Sequence, residues 1–102
     1  MIKELVKEKT QVKVKNKYDE PKQYKVILLN DDYTTMDFVV LILITIFKKK
    51  ENEAVEIMLK IHTSGSAVVG VYSFDIANTK VKNVETLANL NNFPLKAIME
   101  EA

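Results

Sequence analysis

The sequence predicts an α+β fold, a β-α-α-β-α-β sandwich in which a small three-stranded antiparallel sheet carries three helices packed on one face. Three observations predict it. Short β-prone runs at Tyr24–Leu29, Ala67–Tyr72 and Leu95–Met99 are each bounded by Pro, Gly, Asn, Asp or Ser. Apolar residues recur at helical spacing in the stretches between them. A sheet covered on one face is the economical way to bury those stripes.

Pro21 opens the ordered part, and Tyr24-Lys25-Val26-Ile27-Leu28-Leu29 reads as a mostly buried strand ending at the polar turn Asn30-Asp31-Asp32. Thr34 then begins a helix, with Asp37 three residues on placing a negative charge at the positive end of the helix dipole. This helix runs to about Phe47 and is apolar on nearly every side, so neighbours are expected to cover it. Lys48 to Lys50 form a solvated connection. Asn52 is expected to cap a second helix that carries Glu53 and Glu56 in its first turn and Gly65 just past its end. Its inward stripe is Ala54, Val55, Ile57, Met58 and Ile61, with His62 on the side of Met58. After the second strand, Ser73 can cap a third helix bearing Ile76, Ala77, Val81, Val84, Leu87 and Ala88 at helical spacing. Phe93-Pro94 ends it, and a short strand follows.

Composition excludes several classes of function. The 102 residues contain no Cys, so there is no disulfide, thiolate metal site or thiol nucleophile, and the single His makes a His-based zinc site improbable. No metal or other cofactor is expected. All 15 basic residues are Lys and the net charge is +1, which leaves no arginine forks for bases or phosphates and little general attraction to nucleic acid. The N-terminus lacks the apolar core of a signal peptide, and the longest apolar stretch is well short of the ~20 residues that span a bilayer. A cytoplasmic protein, without membrane or nucleic-acid partners, is expected.

Residues 1–20 hold six Lys and four acids and few apolar residues, and read as a mobile N-terminal extension ahead of a domain over 21–102. Asn30-Asp31-Asp32 and His62 are the polar residues best placed for a site. With two glycines there is no phosphate loop, and no nucleophile accompanies the carboxylates, so catalysis is not expected.

The run Tyr24-Lys25-Val26-Ile27-Leu28-Leu29-Asn30-Asp31-Asp32-Tyr33-Thr34, then Met36-Asp37-Phe38-Val39-Val40, resembles the signature of the ClpS family of adaptors. Ala54, Ile57-Met58-Leu59, His62, Gly65, Gly70-Val71-Tyr72, Lys80-Val81 and Pro94-Leu95 follow in matching order. The resemblance implies the same fold and a non-enzymatic task, which is to bind proteins with a free bulky N-terminal residue (Leu, Phe, Tyr or Trp) and deliver them to a Clp AAA+ unfoldase. It implies that Asn30, Asp32 and His62 hold the substrate α-amino group, with Asp31 on the polar rim and the first peptide bond. Thr34, Met36, Val39, Met58, Ile61 and Leu95 would wall the side-chain pocket, and Asp75 and Lys80 would face the N-terminal domain of a ClpA- or ClpC-type unfoldase. Two positions depart from the pattern: Thr35 stands where many members have Pro, and Ile61 where Val is common. The fold order alone also fits an interaction module like the C-terminal domain of the ribosomal stalk protein, which has no amine-binding site.

The chemistry suits an amine. A free α-amine titrates near pH 8 and is largely cationic at pH 7, and Asn30, Asp32 and a neutral His62 all offer acceptors.

Overall fold

A computed structural model describes residues 21–102. The expected N-terminal extension, residues 1–20, lies outside the described residues. The elements are β1 (Gln23–Leu29), α1 (Met36–Thr45), α2 (Glu51–Ser64), β2 (Ser66–Ser73), α3 (Phe74–Leu90) and β3 (Lys96–Glu101). β1 is the central strand, paired antiparallel with β2 on one side and β3 on the other. The predicted element order and sheet are therefore those observed.

Alternation along β1 decides which face is covered. Val26 and Leu28 are fully buried beneath the helices, as a period of two requires of a half-buried strand. Leu28 pairs with Ala67 on β2 and Ala97 on β3. A large residue between two small ones leaves room for helix side chains to descend onto the sheet. Ile42 and Leu43 from α1, Ala54, Met58 and Ile61 from α2, and Ala77, Val84 and Ala88 from α3 complete the core. α3 packs on all three strands, while α1 packs on α2, which in turn reaches β2. The β1–β2 register shifts between Val26 and Ile27. Nearby, a Cβ at Gly70 would collide with the Tyr72 ring, so the bare backbone there gives that ring its place.

The helix starts differ from the sequence expectation, for reasons visible in the hydrogen bonds. Thr35, not Thr34, caps α1: its Oγ1 accepts from Phe38 N at 3.2 Å, whereas the Thr34 hydroxyl is committed to Asp31. α1 ends at Thr45, two residues before Phe47. α2 begins at Glu51 behind Lys50, which makes no side-chain cap, and Asn52 lies inside the first turn. Glu51 and Glu53 supply the favourable charge there instead. Ser73 precedes α3 as expected but makes no side-chain capping bond. α1 is also less covered than its composition suggests, with Leu41 and Ile44 exposed, because it lies against α2 and has no helix beyond it. Val55, expected in the inward stripe of α2, is exposed.

α2 closes on Gly65, which takes the left-handed conformation (φ 93°) while its N–H donates to Ile61 O at 2.9 Å. Nothing crowds a Cβ at that position, so the need for glycine is one of backbone alone. Gly65→Ala is expected to lower the unfolding free energy by about 1 kcal/mol in urea denaturation. Leu28→Ala, which empties the centre of the sheet, is expected to lower it by about 3 kcal/mol.

Candidate functional site

The polar turn after β1 is built from its own side chains. Asp31 Oδ1 accepts from Tyr33 N at 2.8 Å and Thr34 N at 2.7 Å, and Oδ2 accepts from Thr34 Oγ1 at 2.7 Å. Asp is favoured in such turns because its carboxylate takes the place of a backbone partner. Partial desolvation pushes the Asp31 carboxyl up, but the hydrogen bonds from Thr34 and Tyr33 outweigh it and hold the group below the ordinary carboxylate range. Asp31 is thus a structural anion, whereas Asp32 and Asn30 are exposed and have no side-chain partner among the described residues.

A second tie fixes where this turn lies. Asn30 N donates to Gly65 O at 2.9 Å, fastening the loop to the C-terminal end of α2. His62 occupies the last turn of that helix, so the bond brings Asn30, Asp32 and His62 to one rim although they are far apart in sequence.

Beneath the rim is a cavity of about 420 Å³, lined by Asn30, Asp31, Asp32, Tyr33, Thr34, Thr35, Met36, Val39, Met58, Ile61 and His62. Its wall is apolar and comes from two helices. Val39, Met58 and Ile61 are buried, while Met36 is 44% exposed and stands at the opening. The thioethers give a wall that adapts to aliphatic and aromatic shapes. Among the described residues the rim carries two carboxylates and no lysine, and their field favours a cation.

Nine of the ten residues expected in the amine site and the side-chain pocket line this cavity. Leu95 does not: it is only 4% exposed and lies with Phe93 and Pro94 near Glu85 and Asn89, on a different depression. Pro94 and Leu95 precede β3 at the far side of the β1 turn. Tyr33 and Thr35 line the cavity without having been expected there. Tyr33 is legible in hindsight as an aromatic within a turn, where no core asks for it. Asp75 and Lys80 lie on α3, outside the cavity. Asp75 is exposed in the first turn, but Lys80 Nζ donates to Ile46 O at 2.9 Å and lies over the rings of Tyr72 and Phe47, at 5.3 and 5.8 Å. Much of its binding capacity is used in satisfying the end of α1.

Among the described residues, no group of three or more His, Cys, Asp or Glu side chains could hold a metal ion, and no helix is long and apolar enough to cross a membrane. Among the described residues, the hydroxyls on the cavity wall are those of Tyr33, Thr34 and Thr35. Those of Thr34 and Thr35 are engaged in the turn and the helix cap, so neither threonine is a free nucleophile beside a base. The arrangement can bind an amphipathic cation with an apolar body.

Known proteins share both sequence and fold. The sequence model of the ATP-dependent Clp protease adaptor protein ClpS matches residues 19–98. The ClpS adapter of Acetivibrio thermocellus is 58% identical over 95 residues, covering 91% of this chain and 96% of that protein. The ClpS adapter of Campylobacter jejuni is 53% identical over 93 residues, covering 91% and 97%, and that of Wolinella succinogenes 51% over 92 residues, covering 90% of each. Among solved structures, Agrobacterium tumefaciens ClpS2 bound to L-phenylalaninamide superposes with a TM-score of 0.79 at 43% identity, covering 81% of this chain and all of that one. Fold order alone left room for a stalk-like module; the family match over most of the described chain removes it. The chain belongs to the ClpS family, the adaptor proteins of the ATP-dependent Clp protease, and is an adaptor rather than an enzyme.

Proposed function

We propose that this adaptor binds proteins through a free N-terminal amine and a bulky hydrophobic first side chain, Leu, Phe, Tyr or Trp, and delivers them to a Clp AAA+ unfoldase of the ClpA or ClpC type. The observation that carries the reading is the cavity itself. An apolar wall of Met36, Val39, Met58 and Ile61 ends at a rim of acceptors, Asn30, Asp32 and His62, with no cation among the lining residues. The ligand in the related ClpS2 structure, L-phenylalaninamide, has the same two parts: an aromatic side chain and a free α-amine.

Roles follow from chemistry. The ammonium brings three donors to the three acceptors at the rim. Asp31 keeps the loop in shape, and the first side chain descends between the two methionines. Met36, at the mouth, is placed to collide with a second substituent on the substrate β-carbon, which is how the pocket would refuse Val and Ile. For delivery, exposed Asp75 on α3 is the freer of the two residues assigned to the unfoldase, since Lys80 is engaged with Ile46. Residues 1–20, fully extended, reach roughly 70 Å at about 3.5 Å per residue, long enough to approach an unfoldase pore while the domain stays docked at its periphery.

A Phe-initiated fluorescent peptide is expected to bind, and its N-acetylated form to bind at least about tenfold more weakly by fluorescence anisotropy, since each charge-assisted bond contributes about 1.5 to 3 kcal/mol. Asp32→Ala and His62→Ala should each weaken binding of the free amine by a comparable factor. Equal affinity for the acetylated peptide would overturn the amine site. Met36→Ala should admit Val- and Ile-initiated peptides, and their continued exclusion would remove Met36 as the gate. Removal of residues 1–17 should leave peptide affinity unchanged and abolish substrate turnover in an assay with the unfoldase and its peptidase. For Asp31 the sign of the pH dependence is set by a folded pKa held below its unfolded value. Its contribution is present above the unfolded pKa of about 4 and is lost as pH falls through the folded one. The stability gap between the natural protein and Asp31→Asn should therefore be constant from about pH 5 upward and shrink below about pH 4, as read by urea denaturation.

A further inference from the structure

The chain contains no Cys, so its four methionines hold all of its sulfur. Three of them lie among the described residues, and their surroundings differ. Met58 on α2 is 9% exposed and belongs to the core, and Met99 on β3 is partly buried against that core. Met36, the first residue of α1, is 44% exposed and lines the cavity at its opening. It alone of the three combines access to solvent with a place in the proposed side-chain pocket.

We propose that Met36 is a site of reversible oxidation by a peroxide, and that its sulfoxide turns away the apolar first side chain that the thioether accepts. The inference rests on the reading of this cavity as a side-chain pocket. A sulfur lone pair attacks one oxygen of hydrogen peroxide, the O–O bond breaks and an S–O bond forms. The proton left on that oxygen passes to the departing hydroxide, which leaves as water. Sulfur loses two electrons and the peroxide takes them up, so the step needs no other reagent. The product is a polar, chiral side chain in place of a flexible apolar one. Exposure decides which thioether the peroxide reaches, so Met36 reacts ahead of Met58 and Met99.

The modification acts on binding and leaves folding alone. In the free protein the sulfoxide oxygen of Met36 stands at the opening, where water hydrates it, so the fold loses little. A bound Leu or Phe side chain would cover that oxygen. The apolar residues behind it, Val39, Met58 and Ile61, have no donor to replace the water, and the Thr34 hydroxyl already donates to Asp31. Covering an unpaired acceptor of this kind lowers affinity by about tenfold. At Met58 the same oxygen would enter the core and cost stability instead. The two methionines of one wall therefore answer differently to one reagent.

The test uses the full chain, hydrogen peroxide, and a fluorescent Phe-initiated peptide in free and N-acetylated form. Peptide mapping by mass spectrometry is expected to find the added oxygen on Met36 before Met58 or Met99. Affinity by anisotropy should fall about tenfold in step with the Met36 sulfoxide, while the urea midpoint holds. Treatment with methionine sulfoxide reductases A and B should restore it. The free peptide should slow oxidation of Met36, and the acetylated one should not. Met36→Leu has no sulfur at the opening, so its treated and untreated forms should bind alike. Affinity unchanged once Met36 is oxidised, a loss that tracks Met58 instead, or oxidation of Met36 at one rate with and without the free peptide would each overturn the proposal. The pocket reading survives those outcomes if acetylation still abolishes binding to the untreated protein. Untreated protein that binds both peptides equally would overturn both. The time course and the reductase rescue are read on the natural sequence, so a poorly folded variant cannot mask the outcome.

Discussion

The site depends on one backbone hydrogen bond, from Asn30 N to Gly65 O. It joins the turn after β1 to the end of α2, two segments that covalent connectivity leaves 35 residues apart. Without it the acceptors on the turn and the imidazole on the helix would have no fixed relation. The bond is available because Gly65 adopts a left-handed conformation that ends α2 and turns the chain into β2. β2 then pairs with β1 so that Leu29 faces Ser66, and the turn that follows β1 emerges beside the helix end. Sheet register, helix termination and site geometry are three consequences of one local arrangement.

Adjacent aspartates on the turn have been given different work by their surroundings. Asp31 accepts three hydrogen bonds from within the loop and is held ionised by them, so it shapes the turn and supplies fixed negative charge. Asp32 makes no such bonds and remains free to meet a ligand. The arrangement limits the cost of preorganisation: the anion that stabilises the loop also contributes to the field at the rim, and no group has to be released from an internal partner before a cation can bind. The threonine beside them shows the same economy, since its hydroxyl donates to Asp31 and leaves the helix cap to Thr35.

Much of this was readable from the amino-acid order. Element sequence and core followed from periodicity, because Val26, Leu28, Ile42, Met58, Ile61 and Val84 repeat at spacings that only one side of a strand or helix satisfies. Asn30-Asp31-Asp32 and His62 stood out as polar groups at the ends of apolar elements. What could not be read was which of several competent hydrogen-bonding side chains would take which partner. Thr34 and Thr35 are equivalent as caps on paper, and the choice between them is made by Asp31. Asn52 has the right chemistry to cap α2, but the chain turns at Lys48, which has a positive φ of 59°, and the helix starts two residues earlier, behind Lys50. Leu95, assigned to the pocket wall by resemblance, is buried beside Phe93 and Pro94 ahead of β3. Lys80 has no local signal of its bond to Ile46, which spans 34 residues.

Under the proposed reading, the two halves of the cavity contribute to recognition unequally. A hydrophobic pocket separates side chains that differ by a methylene by only about 1 to 3 kcal/mol, so Met36, Val39, Met58 and Ile61 can rank large residues but cannot by themselves find a chain end. Leu and Phe occur throughout every protein, and each is flanked by peptide bonds except at the first position. An internal residue offers an uncharged amide with one N–H where the rim presents three acceptors and two carboxylates. Placing that amide there would strip water from polar groups and return too few hydrogen bonds. Specificity for a terminus therefore comes from Asn30, Asp32 and His62, while affinity comes from the methionine-lined wall. The hydrogen bond between Asn30 and Gly65 holds the two in one site, which makes recognition of a chain end a property of the fold and not of any single side chain.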